Sequence, residues 1–159
     1  MFNFFKKNQE ILSPVSGKVI DLSQVPDEVF SQRLAGDGVA IEPTGNEIVA
    51  PADGVLTLIF NTNHAFALTL KNGVELLIHI GIDTVALNGE GFTRLAEQGT
   101  KVKAGTPIVR VDKDFIEKSG YSLVTLALIT NTEIVKDING AIGENAEAGK
   151  TAVIDYKMK

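Results

Sequence analysis

The sequence contains no cysteine and only two histidines among its 159 residues. Without cysteine, the chain can form no disulfide, no thiolate metal site and no thiol nucleophile. It also lacks an apolar run of the roughly 20 residues that are needed to cross a bilayer. Any covalent chemistry must therefore come from other side chains.

The charge balance and the N-terminus exclude further classes of function. Twenty Asp and Glu residues against 15 Lys and Arg give a net charge of −5, which argues against nucleic acid as a partner and suits a partner with a basic docking face. Residues 1–8 lack the continuous apolar stretch of a secretion signal. We therefore expect a cytoplasmic protein, with a flexible tail at 1–10 and a single domain at 11–159.

Glycine-punctuated apolar stretches indicate the fold class. Fifteen glycines separate short segments rich in Val, Ile, Leu and Thr, such as 17–22 and 105–111. This pattern predicts an all-β sandwich or barrel built from many short strands. Only 26–31 and 114–119 are candidates for one or two very short helices.

Two pairs of segments echo each other. Residues 13–19 resemble 50–56, and residues 102–109 resemble 146–153, with a shared glycine where each chain segment must turn. Duplication of a β unit and chance similarity of glycine-punctuated strands both account for this.

Both histidines flank a strong hairpin signal. Residues 60–70 and 74–80 have the composition of strands, and Asn72 and Gly73 between them are typical of a two-residue type I′ turn. A three-residue loop would shift the register by one and place the histidines on opposite faces of the sheet.

The two-residue turn places both imidazoles on one face. His64 would lie opposite Gly81 and His79 opposite Phe66, so the two histidines would be diagonal neighbours, roughly 7–8 Å apart. The glycine would leave the space above the rings open for a large incoming group.

Neighbouring side chains on that face suit a functional site. Thr62, two residues before His64, could fix the tautomer of that ring through its hydroxyl. Phe60, Phe66 and Leu77 would exclude water and lower the local dielectric constant. The alternative is that both histidines are ordinary structural residues.

A pair of imidazoles permits three kinds of chemistry. His64 and His79 could bind zinc, with Asp83 as a possible further ligand. They could act in general acid–base catalysis. One could instead attack a phosphoryl group while the other stabilises the transferred oxygens. The sequence has no GxxxxGK[ST] phosphate loop, so a phosphoprotein is a better phosphoryl donor than a nucleotide.

Several motifs in order closely resemble the glucose-type enzyme IIA component of the bacterial phosphoenolpyruvate-dependent sugar phosphotransferase system. Two carry the histidines: TNHAF at 62–66 and VELLIHIGIDT at 74–84. The others are residues 25–30, 36–41, 43–46, 50–54, 89–92 and 102–105. The resemblance runs from about Ile11 to the last strand.

The resemblance implies an antiparallel β-sandwich of the duplicated hybrid motif type and a phosphocarrier function. In this family, the histidine at the position of His79 accepts phosphate from the phosphocarrier HPr through Nε2. It then passes the group to a cysteine on the IIB domain of a sugar permease. Since this chain has no cysteine, the acceptor must be another chain or domain.

The resemblance also implies roles for the neighbours of His79. His64 would steady the phosphoryl group, and Thr62 would orient His64. The carbonyl of Gly81 would hold the second ring nitrogen of His79, so that Nε2 keeps its lone pair.

Family members dock their partners through an apolar ring with acidic residues outside it. The matching positions here are Val29, Phe30, Phe60 and Val85, with Asp27 and Asp83 placed to meet basic side chains of HPr. Val29 and Phe30 could instead be core residues, and Asp27 could simply begin a helix.

The remaining expectations concern cofactors and further partners. No cofactor is required for the carrier function. The alternative function is a zinc-dependent hydrolase or a zinc-bridged binding module that uses His64 and His79. We expect a monomer with possible regulatory protein targets. Residues 1–7 mix aromatics with two lysines, which would allow weak membrane contact.

Overall fold

Short antiparallel strands make up most of the computed structural model, which describes residues 8–159. That part of the chain contains fourteen strands, two short α-helices and three 3₁₀ turns. The strands are β1 (Gln9–Leu12), β2 (Gly17–Ile20), β3 (Asp37–Pro43), β4 (Glu47–Val49), β5 (Gly54–Ile59), β6 (Ala65–Thr69), β7 (Glu75–Ile80), β8 (Phe92–Arg94), β9 (Lys101–Val102), β10 (Pro107–Val111), β11 (Thr125–Ile129), β12 (Val135–Gly140), β13 (Asn145–Ala146) and β14 (Ala152–Met158).

Three antiparallel sheets form the sandwich. The largest has eight strands in the order β13-β2-β3-β11-β7-β6-β5-β9, and two three-stranded sheets have the orders β1-β14-β12 and β4-β10-β8. The prediction of an antiparallel all-β fold is confirmed. No helix among residues 8–159 combines the length and the apolar character needed to span a bilayer.

Both helices are short and are capped by aspartate. Helix α1 (Glu28–Ser31) begins after Asp27, and helix α2 (Lys113–Lys118) begins after Asp112. Each Asp side chain accepts a hydrogen bond from a backbone N–H of the first turn, which is the usual way to satisfy a donor left free at a helix start. The predicted short helices at 26–31 and 114–119 are therefore present.

The central strand β11 is buried on both faces. Ala127 and Ile129 belong to the main core, whereas Leu126 and Leu128 belong to a smaller apolar cluster on the other face of the large sheet. His79 of β7 lies directly opposite Leu126, so its side chain projects toward this smaller cluster. The second face of the sheet is where the functional site forms.

The internal sequence echoes correspond to equivalent structural units. The N–H of Gly105 donates to the carbonyl of Ala50, and the N–H of Gly149 donates to the carbonyl of Ser13, both at 2.8 Å. The short strands that precede these glycines, β9 and β13, pair with the equivalent strands β5 and β2. Of the two explanations for the echoes, duplication is the one that the fold supports.

The predicted N-terminal tail is too long. Gln9 and Glu10 belong to β1, where they pair with Tyr156 and Asp155 of β14. The remainder of the predicted tail, residues 1–7, lies outside the described residues.

The predicted two-residue turn between β6 and β7 is wrong. The last backbone pair is Leu70 and Val74, whose carbonyl accepts from the Leu70 N–H at 2.9 Å. Residues 71–73 therefore form a three-residue loop that ends in a left-handed residue, Gly73, with φ of 94°. This geometry accommodates Asn-Gly as well as a type I′ turn does.

Because the loop has three residues rather than two, the pairing of β6 with β7 shifts by one residue. The side chains of β6 therefore point to the opposite face of the sheet from that expected relative to β7. His79 lies opposite Ala65 rather than opposite Phe66. Phe66 consequently projects into the main core, while Leu77 packs against the smaller cluster on the other face. The expectation that Phe66 and Leu77 share a face with the imidazoles is wrong for Phe66.

Two glycines with similar backbone geometry test the packing between the duplicated turns. Gly149 has φ of 70°, and a Cβ there would lie 2.7 Å from Cα of Gly105; Gly143 has φ of 91° and nothing within 4 Å. Gly143→Ala should cost about 1–2 kcal/mol for the left-handed backbone alone. Gly149→Ala should cost a further ~1–3 kcal/mol, because the two turns must move apart. Urea unfolding of both variants measures this difference, and equal losses would contradict the close packing.

Candidate functional site

His79 is held by a hydrogen bond that defines its tautomer. Its Nδ1 lies 2.8 Å from the carbonyl oxygen of Gly81. A carbonyl oxygen can only accept, so Nδ1 carries the proton and donates it. In the neutral ring, Nε2 then has a free lone pair.

Gly81 occupies a backbone conformation that requires glycine. Its φ is 83°, and its N–H donates to the carbonyl of Val124 at 3.0 Å. A Cβ at this position would collide with the Thr84 side chain and lie 2.8 Å from the Ser122 carbonyl oxygen. The glycine therefore serves to aim its own carbonyl at His79.

The expectation that Gly81 lies opposite His64 and opens space above it is wrong. The carbonyl of His64 accepts the N–H of Ile80 at 2.7 Å. His64 therefore lies opposite Ile80, the residue next to His79, and not opposite Gly81.

The imidazoles nevertheless meet. The ring centroids of His64 and His79 lie 5.1 Å apart, with the ring planes at 83°. His64 precedes β6 and follows Asn63, which has φ of 58°, so the alternation of a regular strand does not govern its side chain. The left-handed residue directs the His64 ring toward His79.

His64 is buried among partners from its own loop. The hydroxyl of Thr62 lies 2.5 Å from Nδ1 of His64, and the ring of Phe60 contacts His64 edge-on at a centroid distance of 5.3 Å. Only 4% of His64 is exposed. Thr62 therefore lies where it can select the tautomer of His64.

Helix α1 covers His79 from the other side. The ring of Phe30 lies 4.9 Å from the His79 ring, and Phe30 is only 8% exposed. Asp27 caps the helix by accepting the N–H of Val29 at 2.9 Å. Phe30 is thus a buried residue that packs against His79. Asp27 begins the helix, as the alternative to a docking role predicted.

Exposed apolar side chains on the segments that hold the two rings form an apolar rim: Phe60 contacts His64, Val29 precedes Phe30 in helix α1, and Val85 lies in the 3₁₀ turn that follows Gly81. Val29, Phe60 and Val85 are all exposed, as a docking surface requires. Leu34 is 71% exposed and is tied to the same segment, since its N–H donates to the Val29 carbonyl at 2.9 Å. Leu34 is not among the predicted docking residues, because a lone leucine after a one-turn helix belongs to no periodic pattern.

Burial keeps both imidazoles neutral at physiological pH. Burial, followed by the neighbouring His79, lowers the pKa of His64 to about 4. Burial also lowers the pKa of His79, against the opposing effects of the Gly81 carbonyl, Asp27 and Asp83. At pH 7 the site therefore presents an uncharged imidazole with a free Nε2 lone pair.

The described residues offer little to a metal ion. Between residues 8 and 159, no group of three or more His, Cys, Asp or Glu side chains could hold one. Asp83 therefore does not join His64 and His79 in a three-ligand site, and a complete zinc site would need at least one further ligand.

Comparison with known protein families identifies one match. The family model described as "phosphoenolpyruvate-dependent sugar phosphotransferase system, EIIA 1" matches residues 9–135. That range includes every residue of the site described above. Nothing in this match supports the zinc-dependent alternative.

Individual relatives agree with the family match. The glucose-specific EIIA component of Borreliella burgdorferi is 46% identical over 143 residues, covering 89% of this chain and 76% of the relative. The N-acetylglucosamine-specific EIICBA component of Klebsiella pneumoniae is 44% identical over 154 residues, covering 97% of this chain but 24% of that longer relative.

A solved structure shows the same fold. Glucose permease IIA from Mycoplasma capricolum superposes with a TM-score of 0.89 at 39% sequence identity, covering 97% of this chain and 99% of that one. The chain therefore belongs to the EIIA 1 family of the phosphoenolpyruvate-dependent sugar phosphotransferase system, whose members are phosphoryl carriers in sugar uptake.

Proposed function

We propose that His79 is the residue that carries the phosphoryl group, accepting it from HPr and passing it to a cysteine on the IIB domain of a sugar permease. One observation carries this assignment: Nδ1 of His79 is committed to the Gly81 carbonyl, while a second imidazole lies edge-on at 5.1 Å. The first contact frees Nε2 as nucleophile, and the second places a hydrogen-bond donor beside it.

The transfer balances without a cofactor. Nε2 of His79 attacks the phosphorus, the bond from phosphorus to the donor nitrogen breaks, and the donor imidazole regains its lone pair. In the second step the acceptor thiolate attacks, the phosphorus–Nε2 bond breaks, and His79 returns to its neutral state. No electron acceptor or metal is needed, so we propose that the carrier function requires no cofactor and no zinc at the two histidines.

His64 stabilises the group in transit. The transition state of phosphoryl transfer spreads negative charge over three equatorial oxygens. When the Thr62 hydroxyl donates to Nδ1 of His64, the ring proton resides on Nε2 and is available to those oxygens. Because burial holds the pKa of His64 near 4, His64 acts as a neutral donor.

The acidic groups favour a charged partner over free phosphate. Asp27 and Asp83 both raise the pKa of His79, so their negative charge acts at that ring. They would stabilise the partial positive charge of a phosphorylated imidazole and repel a free phosphate dianion. Basic side chains on HPr would offset this repulsion, as complementary interfaces do.

The exposed apolar rim is the proposed partner surface. Val29, Phe60 and Val85 lie exposed on the segments that hold the imidazoles and can be buried by either partner in turn, together with Leu34. The EIICBA relative from Klebsiella pneumoniae contains a segment similar to this whole chain. This supports a IIB domain as the acceptor. Phe30 would support this surface from below.

We further propose that the protein acts in the cytoplasm as a monomer, without nucleic-acid partners and with possible regulatory protein targets. The proposed weak membrane contact of residues 1–7 lies outside the described residues. The sugar served would be set by the permease.

His79→Gln should abolish phosphorylation, because glutamine offers no nucleophilic ring nitrogen. Incubation with phosphoenolpyruvate, enzyme I and HPr, followed by mapping of the label, measures it. Acid-labile, base-stable phosphate that still accumulates on the variant would refute the assignment.

His64→Gln should separate the two half-reactions. We expect the variant to accept phosphate from HPr, since Nε2 of His79 is unchanged, but to transfer it to IIB at least roughly 100-fold more slowly because a transition-state donor is lost. Single-turnover measurements of each step test this. An unimpaired second step would remove His64 from the proposed mechanism.

The lowered pKa of His64 predicts a pH-dependent stability. Between pH 6.5 and about 4, the unfolded chain binds a proton at His64 that the folded protein excludes, so stability is present above pH 6.5 and falls as the pH drops through this window. The loss should reach up to about 3 kcal/mol. Urea unfolding at pH 7.5 and 4.5 should show a shallower loss for His64→Gln than for the parent, and parallel curves would contradict this.

A further inference from the structure

The turn that carries Thr62 and leads into His64 contains a left-handed residue. It runs from Phe60 to Asn63, with the Asn63 N–H donating to the Phe60 carbonyl at 2.8 Å. Asn63 has φ of 58°, a left-handed conformation that asparagine adopts more readily than most residues but that still favours glycine.

Arg94 contacts both ends of this turn. It lies at the end of β8, opposite Val109 of β10, in a different sheet from the turn. Its Nε donates to Oδ1 of Asn63 at 2.8 Å, and its Nη2 donates to the carbonyl of Phe60 at 3.2 Å. The planar guanidinium therefore fixes the first and last residues of the turn in one rigid fork.

The clamped turn contains the group that orients His64. Thr62 is the third residue of the turn, and its hydroxyl lies 2.5 Å from Nδ1 of His64. If Asn63 left the left-handed region, the direction of the chain into His64 would change, and the hydroxyl contact with it. The position of the His64 ring beside His79 therefore depends on Arg94 indirectly, through Asn63 and Thr62.

Arg94 differs from a neighbouring surface arginine. Arg110, on the adjacent strand β10, pairs with the carboxylate of Glu47 at 3.2 Å. Among residues 8–159, none of the four ion pairs includes Arg94. Both hydrogen bonds of Arg94 go instead to the turn that carries Thr62. A surface ion pair therefore does not account for the position of the Arg94 side chain.

We propose that Arg94 is a positioning residue for phosphoryl transfer: by clamping Asn63 and Phe60, it holds Thr62 against His64 and keeps the His64 Nε2–H directed at the phosphoryl group on His79. This rests on the proposed roles of the two histidines. Arg94 acts through the turn, since both of its hydrogen bonds go to Asn63 and Phe60.

The tautomer of His64 is the direct readout. In the parent protein, imidazole ¹⁵N shifts should show His64 as a single Nε2–H tautomer, and Arg94→Ala should shift them toward the average of both tautomers. Arg110→Ala is the matched control and should leave them unchanged. Circular dichroism of both variants establishes that the fold is retained. Unchanged His64 shifts in Arg94→Ala would overturn the proposal.

Kinetics give a second, independent measurement. Single-turnover transfer from phosphorylated protein to IIB should slow roughly tenfold in Arg94→Ala, since small displacements of a positioned group have effects of this order or larger, and Arg94→Lys should recover part of the rate. Arg110→Ala should transfer at the parent rate. Arg94→Ala slowed no more than Arg110→Ala would contradict the proposed clamp.

A double-mutant cycle tests whether Arg94 acts through Asn63. Asn63→Gly keeps the left-handed backbone accessible while removing the Oδ1 acceptor. The effects of Asn63→Gly and Arg94→Ala should be less than additive when combined, whereas full additivity would mean that Arg94 acts by another route.

The design separates this inference from the function on which it rests. If His79→Gln still accumulates phosphate, the assignment of the histidines fails, whatever Arg94 does. If His79→Gln is inactive while Arg94→Ala matches the Arg110→Ala control in both the tautomer and the rate, the inference about Arg94 fails alone.

Discussion

The hydrogen bond from His79 Nδ1 to the carbonyl of Gly81 is the constraint on which the site depends. It decides which ring nitrogen is nucleophilic, and it exists only because Gly81 adopts φ of 83°. The Thr84 side chain, whose hydroxyl donates to the Ile80 carbonyl at 2.5 Å, and the Ser122 carbonyl enclose the glycine so closely that a Cβ would collide with the Thr84 methyl group. The backbone conformation of Gly81 and the position of its carbonyl thus determine which ring nitrogen of His79 carries the proton.

The fold places this imidazole between a rigid sheet and an exposed rim. Strand β7 lies between β11 and β6, so the backbone of His79 is paired on both sides and cannot shift. Phe30 of α1 contacts the His79 ring, and burial lowers the pKa of His79. A neutral imidazole in a fixed position at the edge of an apolar surface suits the proposed role of accepting a phosphoryl group from one protein and passing it to another.

Strand composition and ordered motifs predicted the fold class, the two short helices and the nearness of the histidines, but not the register. The Asn72–Gly73 pair is compatible with two loop lengths. The Asn72 side chain donates to the Tyr156 hydroxyl at 3.0 Å and accepts the Val74 N–H at 3.1 Å. One of these two contacts therefore comes from a residue distant in sequence. The rings meet because Asn63 is left-handed. The alternation of residues in the sequence cannot reveal the left-handed conformation of Asn63, because Arg94, which donates a hydrogen bond to its side chain, lies on another sheet.

The charges near the site agree with the proposal that the phosphoryl donor is a partner protein rather than free phosphate. Arg33 is engaged by Asp21 and Asp37, and Arg94 is engaged by the turn that carries His64. The charged groups that act on His79 are instead the carboxylates of Asp27 and Asp83. A phosphoryl group on His79 would therefore be held by neutral donors and not by an ion pair, which limits how strongly it is bound. A carrier must release its group as readily as it accepts it, and weak electrostatic binding is the property that permits both.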